Sequence, residues 1–405
     1  MLNLIYESFP YGSSETFVEY EIPYLNQLVG DKFRVFSFYR GNDEKRNIHL
    51  NGELYLIKPV VKDYVLGFLT LTPKMLLREI KAISKRVCPD PIIRCLWRML
   101  YYRAYGYALY RKVKELDLNQ DEVFASYWLS ECAYSAVMLK KWYPHISVTS
   151  RGHGFDVYEE RCCLPFRKTI FEKIDYIYTV NEVEKRYILR RHSEITSDRI
   201  RISHLGIELP KEYSPRVDRK PFKIITCSSV IQLKRLDLLI DALEEIDDIE
   251  LEWYHIGGGL LLDQISELAE KKLCKKNQKH FFLGQLSLTD VHKHYQDHDY
   301  SAFINCSDTE GIPVSIMEAM SYGIPVIARN IGGISEIVGD DAGLLINPEG
   351  NPHMLSKAIK YIYSLSDNEY YRLRENARKR VIDSFDAKKQ YAEYFALLLG
   401  MNKED

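Results

Sequence analysis

The sequence predicts an α/β protein made of two parallel-sheet domains, and three observations carry that expectation. The chain has 405 residues, more than one compact core accommodates, because single cores stop growing near roughly 250 to 300 residues. Apolar residues make up 46% of it and charged residues 28%, a balance that offsets the entropy of ordering the chain and argues against disorder. Short runs rich in Val, Ile, Phe and Tyr alternate with longer helix-favouring stretches. That is the βαβ pattern of a parallel sheet covered on both faces, and it occurs twice.

In the first half the expected strands are Leu2–Tyr6, Phe33–Phe38, Leu54–Lys58, Glu122–Ser126, Ile146–Ser150, Asp175–Val180 and Ile200–Ser203. In the second half they are Lys223–Ser228, Leu251–Ile256, Phe281–Leu283, Tyr300–Asn305, Ile324–Ala328 and Leu344–Ile346. Between the two sets, GIELPKEYSPRVDRKPFK is rich in proline and charge and has neither helical nor strand period, which places a linker at 206–222. After Pro348 the chain reads as helical to its end, and YFALLLG offers an apolar face that another element must cover. No repeat of solenoid length is visible.

A formal charge of −2 gives no general attraction to polyanions, so nucleic acid is not an expected partner. The eight cysteines are scattered, without a CxxC pair or histidines at ligand spacing, and read as reduced structural thiols. MLNLIYESFP lacks the basic and apolar regions of a signal peptide, and no run reaches the ~20 apolar residues of a spanning helix. A cytoplasmic protein is expected. Residues 62–115 stand apart, with twelve Lys or Arg against four Asp or Glu, interleaved with Trp97 and six tyrosines. Two readings stay open: peripheral contact with anionic headgroups at the inner face of the plasma membrane, or a helical excursion with a solvated basic face.

The chemistry concentrates in YSAFINCSDTEGIPVSIMEAMSYGIPVIARNIGGISEI, residues 300–337. An apolar strand ending at Asn305 leads into a small-residue loop. A helix is then expected with Pro313 at its first position and Gly323 as its stop. A ligand at the carboxyl end of that strand meets the unpaired N–H groups of the helix's first turn, around Val314 and Ser315, which suit a diphosphate. Glu310 in the loop and Glu318 in the helix flank the position as acceptor-only carboxylates, suited to sugar hydroxyls.

EGIPVSIME resembles the E-x7-E signature of retaining glycosyltransferases of the GT-B fold, two facing Rossmann-like domains with an interdomain cleft, and specifically glycosyltransferase family 4 (glycosyl transferases group 1). The resemblance continues through EAMSYGIPVIARNIGGISEIV, WYHIGGGLLLDQISELA and FFLGQLS, over essentially the whole second half. It implies an acceptor-binding domain at 1–205, a nucleotide-sugar domain at 223–384, and a last helix, about 385–405, packed back on the first domain. Glu318 is then the partner of the ribose hydroxyls and Glu310 of the donor-sugar hydroxyls, with the backbone of Gly311, Ile312, Pro313 and Val314 along the sugar and diphosphate. Gly257 and Leu286 belong to the donor-binding set by the same match. CSSVIQLKRLDLLIDAL resembles the segment that places a basic pair on the diphosphate. Lys234 matches its lysine, whereas the arginine position is Ser229 here and Arg235 is only adjacent. A lysine in the first turn of a helix opposes the helix dipole, so Lys234 calls for an anionic ligand; there it would stabilise the leaving diphosphate.

In the first half, FPYGSSETFVEYEIPYL is similar to the family's Gly and Ser loop after the first strand, here Gly12, Ser13 and Ser14. SRGHGFDVYEE is similar to a later loop in which His153 matches a histidine facing the donor sugar. Arg151 and Asp156 share that loop and either touch ligand or brace it, and Glu15 either caps its helix or touches substrate. The resemblance implies transfer with retention from a UDP- or GDP-sugar to a saccharide or lipid-linked saccharide. Its implied route is a front-face reaction with His153, Lys234 and Glu310 at the reacting centre and no obligatory metal or cofactor. Surface polysaccharide, O-antigen or glycolipid assembly is the implied setting. A nucleotide-sugar epimerase of the same architecture and a non-catalytic nucleotide-sugar-binding protein are the alternatives. A dinucleotide oxidoreductase fits least, because Gly257, Gly258 and Gly259 lack the G-x-G-x-x-G spacing.

Overall fold

The computed structural model describes residues 1–400 other than 13, 14, 40, 42, 43, 86–89, 117, 119, 120, 215 and 216, with 83–85 as backbone alone. It divides into two compact units: Met1–Leu205 joined by the chain from Ala387, and Gly206–Asp386.

Among the described residues the first unit holds seven parallel strands, β1 (Leu2–Tyr6), β2 (Phe33–Ser37), β3 (Glu53–Leu56), β4 (Val123–Ser126), β5 (Ser147–Gly152), β6 (Tyr176–Thr179) and β7 (Ile200–Ile202), in the order β3-β2-β1-β4-β5-β6-β7. The second holds six, β8 (Phe222–Cys227), β9 (Leu251–Ile256), β10 (Gln278–Phe282), β11 (Ala302–Asn305), β12 (Val326–Arg329) and β13 (Gly343–Ile346), in the order β10-β9-β8-β11-β12-β13. Every pairing between these strands is parallel. Each expected strand is present, with ends unmoved in β1 and β9 and moved by at most three residues elsewhere. The largest shift is β10, whose start is polar: Gln278 pairs in register with Leu251, and its amide donates inward to the carbonyls of Leu243 (2.8 Å) and Ile246 (2.7 Å).

β1 and β2 are buried at every position, as central strands covered on both faces must be. Their polar members are satisfied inside: Asn3 donates to Glu122 at 2.7 Å, and Arg34 pairs with the same carboxylate at 2.9 Å. In both sheets the chain order reverses beside the first strand, between β1 and β4 and between β8 and β11. Outside the carboxyl ends of the strands at such a switch point, open α/β sheets place their ligands.

The helices over 62–115 account for part of the aromatic and basic pattern of that stretch. They are α2 (Val61–Leu69), α3 (Pro73–Lys85) and α4 (Ile92–Val113), following α1 (Ile22–Val29). Tyr101, Tyr102, Tyr105 and Tyr107 on α4 are buried in the core, and Tyr110 stacks on Trp142 with centroids 3.9 Å apart. Buried Arg103 donates to the Gly67 carbonyl and to Tyr134. Most of the aromatic and part of the basic pattern therefore serves packing, because a tyrosine that finds a polar partner is a large core residue.

The expected linker is held to the second unit. Ile207 N–H donates to the Phe385 carbonyl at 2.9 Å, Arg374 to Ser214 O at 2.8 Å and Arg219 to Leu365 O at 3.0 Å. After helices Pro352–Ser364 and Asp367–Ser384, helix Ala387–Leu398 packs on α1 in the first unit. Tyr394, Phe395 and Leu398 are buried there.

Candidate functional site

In the second unit the loops after β8 and β11 flank the switch point, and they bring three of the expected residues together. The chain leaves β11 through Cys306–Ile312 and enters helix Val314–Ser321. Pro313 stands at the N-cap with extended backbone (φ −75°, ψ 109°), one place earlier than the N1 position expected. Its ψ keeps it outside the helix while its carbonyl accepts the Ile316 N–H at 3.1 Å. Gly323, with φ +69°, stops the helix in the left-handed conformation that favours glycine.

Lys234 Nζ lies 2.7 Å from Glu310 Oε1, with side chains only 21% and 11% exposed, and Asn305 donates to the same oxygen at 3.3 Å. Lys234 closes a single turn, Gln232–Lys234, ahead of helix Leu236–Glu244. It is therefore outside that helix's first turn, and the dipole argument for a ligand falls. Its charge is matched by Glu310 instead. Glu318 is buried. It sits within electrostatic reach of Cys227, whose thiol is pushed up to about 12 by burial first and the Glu318 carboxylate second, while Lys234 pulls the other way. Lys234, Glu310 and Glu318 thus share one neighbourhood.

Arg235 does not join them. Its guanidinium lies on Asp237 (3.1 Å) and Asp308 (3.2 Å), and those carboxylates, Asp237 foremost, raise its pKa. It adopts a left-handed φ of 49°, a costly conformation for a non-glycine residue that clusters at functional loops. Ser229 is exposed in the loop between β8 and that turn.

Backbone contacts lace these loops into one surface. Asp308 N–H donates to the Leu233 carbonyl at 2.9 Å, Gly333 N–H to Gly311 O at 2.7 Å, Val230 N–H to Gly258 O at 2.8 Å, and Gly257 N–H to Gly284 O at 2.8 Å. Leu286, half-buried, follows Gly284 in the loop after β10. At Gly332 (φ +54°) a Cβ would lie 2.1 Å from Glu310 O, and at Gly257 (φ +139°) 1.9 Å from Ser228 O. Both positions need glycine. Sequence reasoning missed Asp308 and Arg329. Arg329, at the end of β12, donates to the Cys306 and Ser307 carbonyls (3.2 and 3.3 Å), to Asp308 and to Pro348 O. It shapes the loop that carries Glu310, and a lone arginine ending a strand gives no such signal.

In the first unit, Gly12 has φ +64°, and Ser13 and Ser14 lie outside the described residues. Glu15 neither caps its turn Thr16–Tyr20 nor stays on the surface. It is buried and accepts from the N–H groups of Ser8 (2.7 Å) and Phe9 (2.5 Å) and from Trp128 Nε1 (2.5 Å), holding the loop after β1 against the loop after β4.

His153 follows β5, 8% exposed, with ring centroids 4.7 Å from Tyr127 and 4.8 Å from Trp128. Neither ring nitrogen has a hydrogen-bond partner among the described residues. Burial, then the charge of Arg151, holds its pKa well below the usual 6.5, so the imidazole is neutral. A buried, unsatisfied polar group is the kind of feature a ligand contact explains. Arg151 and Asp156 are braces. Arg151 is fully buried, paired with Glu21 and set 3.8 Å over the Tyr394 ring. Asp156 accepts from His153 N–H at 2.7 Å and from Leu129 N–H, and burial raises its pKa to about 7. Between α4 and the carboxyl ends of β1, β4 and β5 opens a cavity of about 300 Å³ whose lining includes Glu7, Trp97, Arg98, Trp128, Glu131 and Phe155. Apart from Trp97, noted only as an aromatic in a basic stretch, none of these was singled out, because strand ends far apart in sequence assemble it.

The family described as Glycosyl transferases group 1 matches residues 211–380. Over 376 residues the chain is 24% identical to the GtfA subunit of the UDP-N-acetylglucosamine–peptide N-acetylglucosaminyltransferase of Streptococcus agalactiae, covering 82% of this chain and 72% of that protein. It is 26% identical over 209 residues to the O-antigen biosynthesis glycosyltransferase WbnH of Escherichia coli, 49% of this chain and 56% of that one, so it spans about half the length of that relative. The solved lipopolysaccharide outer core galactosyltransferase WaaB superposes with a TM-score of 0.71 at 15% identity over 99% of both chains. Anabaena HepE in complex with UDP and glucose superposes at 0.69 and 14%, over 98% of this chain and 99% of that one. The fold is GT-B, and these comparisons support a glycosyltransferase.

Proposed function

We propose that this protein is a retaining glycosyltransferase of family 4 that moves a sugar from a nucleotide diphosphate to a hydroxyl of a saccharide or lipid-linked saccharide. The observation that carries the reading is the Lys234–Glu310 pair at 2.7 Å, beside the start of helix Val314–Ser321 at a switch point of a parallel sheet. An ammonium beside a helix N-terminus receives a diphosphate, and the carboxylate it releases takes sugar hydroxyls. Glu318 takes the ribose. UDP is the favoured carrier, because the first-matched relative is named for UDP-N-acetylglucosamine and HepE is described with UDP-glucose. O-antigen, colanic acid and amylovoran relatives support surface polysaccharide assembly as the setting.

In the proposed step the acceptor oxygen bonds to the anomeric carbon on the face from which the diphosphate departs. The glycosyl–phosphate bond breaks, and the acceptor proton passes to a phosphate oxygen of the leaving group. Lys234 stabilises the growing diphosphate charge. Within the first unit, neutral His153 carries unsatisfied ring nitrogens, and the cavity there offers aromatic faces and carboxylates to an acceptor saccharide. Ser229, where the family pattern has arginine, favours one second reading, a protein that binds nucleotide sugar without transfer. Incubation with UDP-sugars and lipid-linked acceptors separates the readings. Free UDP with an α-glycoside from an α-donor, seen by NMR, supports retaining transfer; an isomerised donor means epimerisation, and binding without any product means the second reading.

A further inference from the structure

We propose that the face formed by α2, the start of α3 and the first half of α4 docks this protein on an anionic lipid bilayer. On α2 the exposed apolar residues are Val61 (80%), Val65 (48%), Phe68 (67%) and Leu69 (71%), one helical face by their spacing. On α4 they are Ile93 (78%), Leu96 (38%) and Trp97 (60%). The two helices pack side by side, with Arg103 bonded to the Gly67 carbonyl at 2.7 Å and Tyr64 stacked on Trp97. Seven exposed apolar side chains on two packed helices mark an interaction site.

The charge of this face selects the occupant. From Val60 to Arg98 the carboxylates are Asp63, Glu79 and Asp90, and each is withdrawn. Asp63 and Glu79 are 2% exposed, and the Asp90 side chain is 9% exposed. Asp63 is held by Arg111 and Asp90 by Arg94 and Arg98, while Glu79 accepts the Phe166 N–H. Lys62, Lys74, Lys81 and Arg94 stand exposed. An apolar surface rimmed by cations, with its anions turned inward, complements anionic headgroups over acyl chains. The second half of α4 is core, so the contact is confined to the face described. No helix among the described residues is long and apolar enough to cross a membrane.

The test is flotation with vesicles of phosphatidylcholine alone and vesicles of phosphatidylglycerol alone. The protein is expected to float with phosphatidylglycerol, to fall off as salt rises, and to remain behind with phosphatidylcholine. F68S/I93S and K62E/K74E should each lower the partition by about tenfold or more, each cation near the surface contributing roughly fivefold, with unchanged unfolding midpoints. In the unaltered protein, nitroxide-labelled phosphatidylglycerol should quench a tryptophan signal that W97F removes, a readout that depends on no destabilised variant. Equal or absent binding to both vesicle types, or quenching that survives W97F, overturns the proposal. So does self-association in sedimentation that F68S/I93S abolishes, since the face would then be an interface between copies of the chain.

Discussion

Among single residues, Lys234, Glu310 and Glu318 carry the donor end of the proposed reaction, and Lys234→Ala and Glu310→Gln separate their contributions. Lys234→Ala removes charge stabilisation that grows as the diphosphate leaves, so kcat should fall by roughly 10² to 10³. Glu310→Gln keeps the shape and a hydrogen-bonding group, so it should raise KM with a smaller loss of kcat. Steady-state kinetics with a UDP-sugar checks both. His153 should stay neutral as pH falls through 6.5, because burial depresses its pKa, and its ring carbon shifts in NMR should not move there.

Asp156 behaves in the opposite sense. Its folded pKa of about 7 stands above the ordinary carboxylate value, so its contribution to stability is full below the unfolded value and is lost as pH rises from there through about 7. Urea unfolding from about pH 4 up to pH 7 should show that loss and then level off, and Asp156→Asn should flatten it. Arg151→Met leaves Glu21 buried without its partner and should cost about 3 to 5 kcal/mol, read from the urea midpoint. Glu15 and Arg151 are charged residues close to glycines, Glu15 in the loop after β1 and Arg151 near the end of β5, and that pattern alone leaves bracing and ligand contact equally open. Their burial decides for bracing.

At the level of elements, the thirteen strands were legible because parallel strands buried on both faces read as short apolar runs between helical stretches. β10 shows the limit: Gln278, Lys279 and His280 hide its start, and only pairing with β9 identifies them as strand. The helix after β11 was legible from Pro313 and Gly323, but its first residue depends on the ψ of Pro313, which no sequence pattern reports. The loop carrying Glu310 is shaped by its neighbours. Gly332→Ala would put a Cβ 2.1 Å from Glu310 O at a left-handed φ, so it should displace that backbone, weaken UDP-sugar binding by calorimetry and lower the unfolding midpoint.

For the whole molecule, the expected ligand response follows from linkage. A UDP-sugar that binds only the folded protein, present at about 100 times its Kd, adds about 2.7 kcal/mol to stability. A thermal shift should appear with the right UDP-sugar and be lost in Glu318→Ala. No shift with any UDP-, GDP- or ADP-sugar would count against the donor assignment. Length, apolar periodicity and punctuation by Gly and Pro determined by themselves that the chain is two parallel α/β units and where their strands run, because those signals are local and report which residues must be buried. The order of strands in each sheet, the meeting of Lys234 with Glu310 across 76 residues, the withdrawal of Asp63, Glu79 and Asp90 from a cationic face, and the burial of the tyrosines of α4 were decided only by the tertiary structure. Each depends on which distant segment packs against which, and that is set by the summed packing of the core and not by any neighbouring residue.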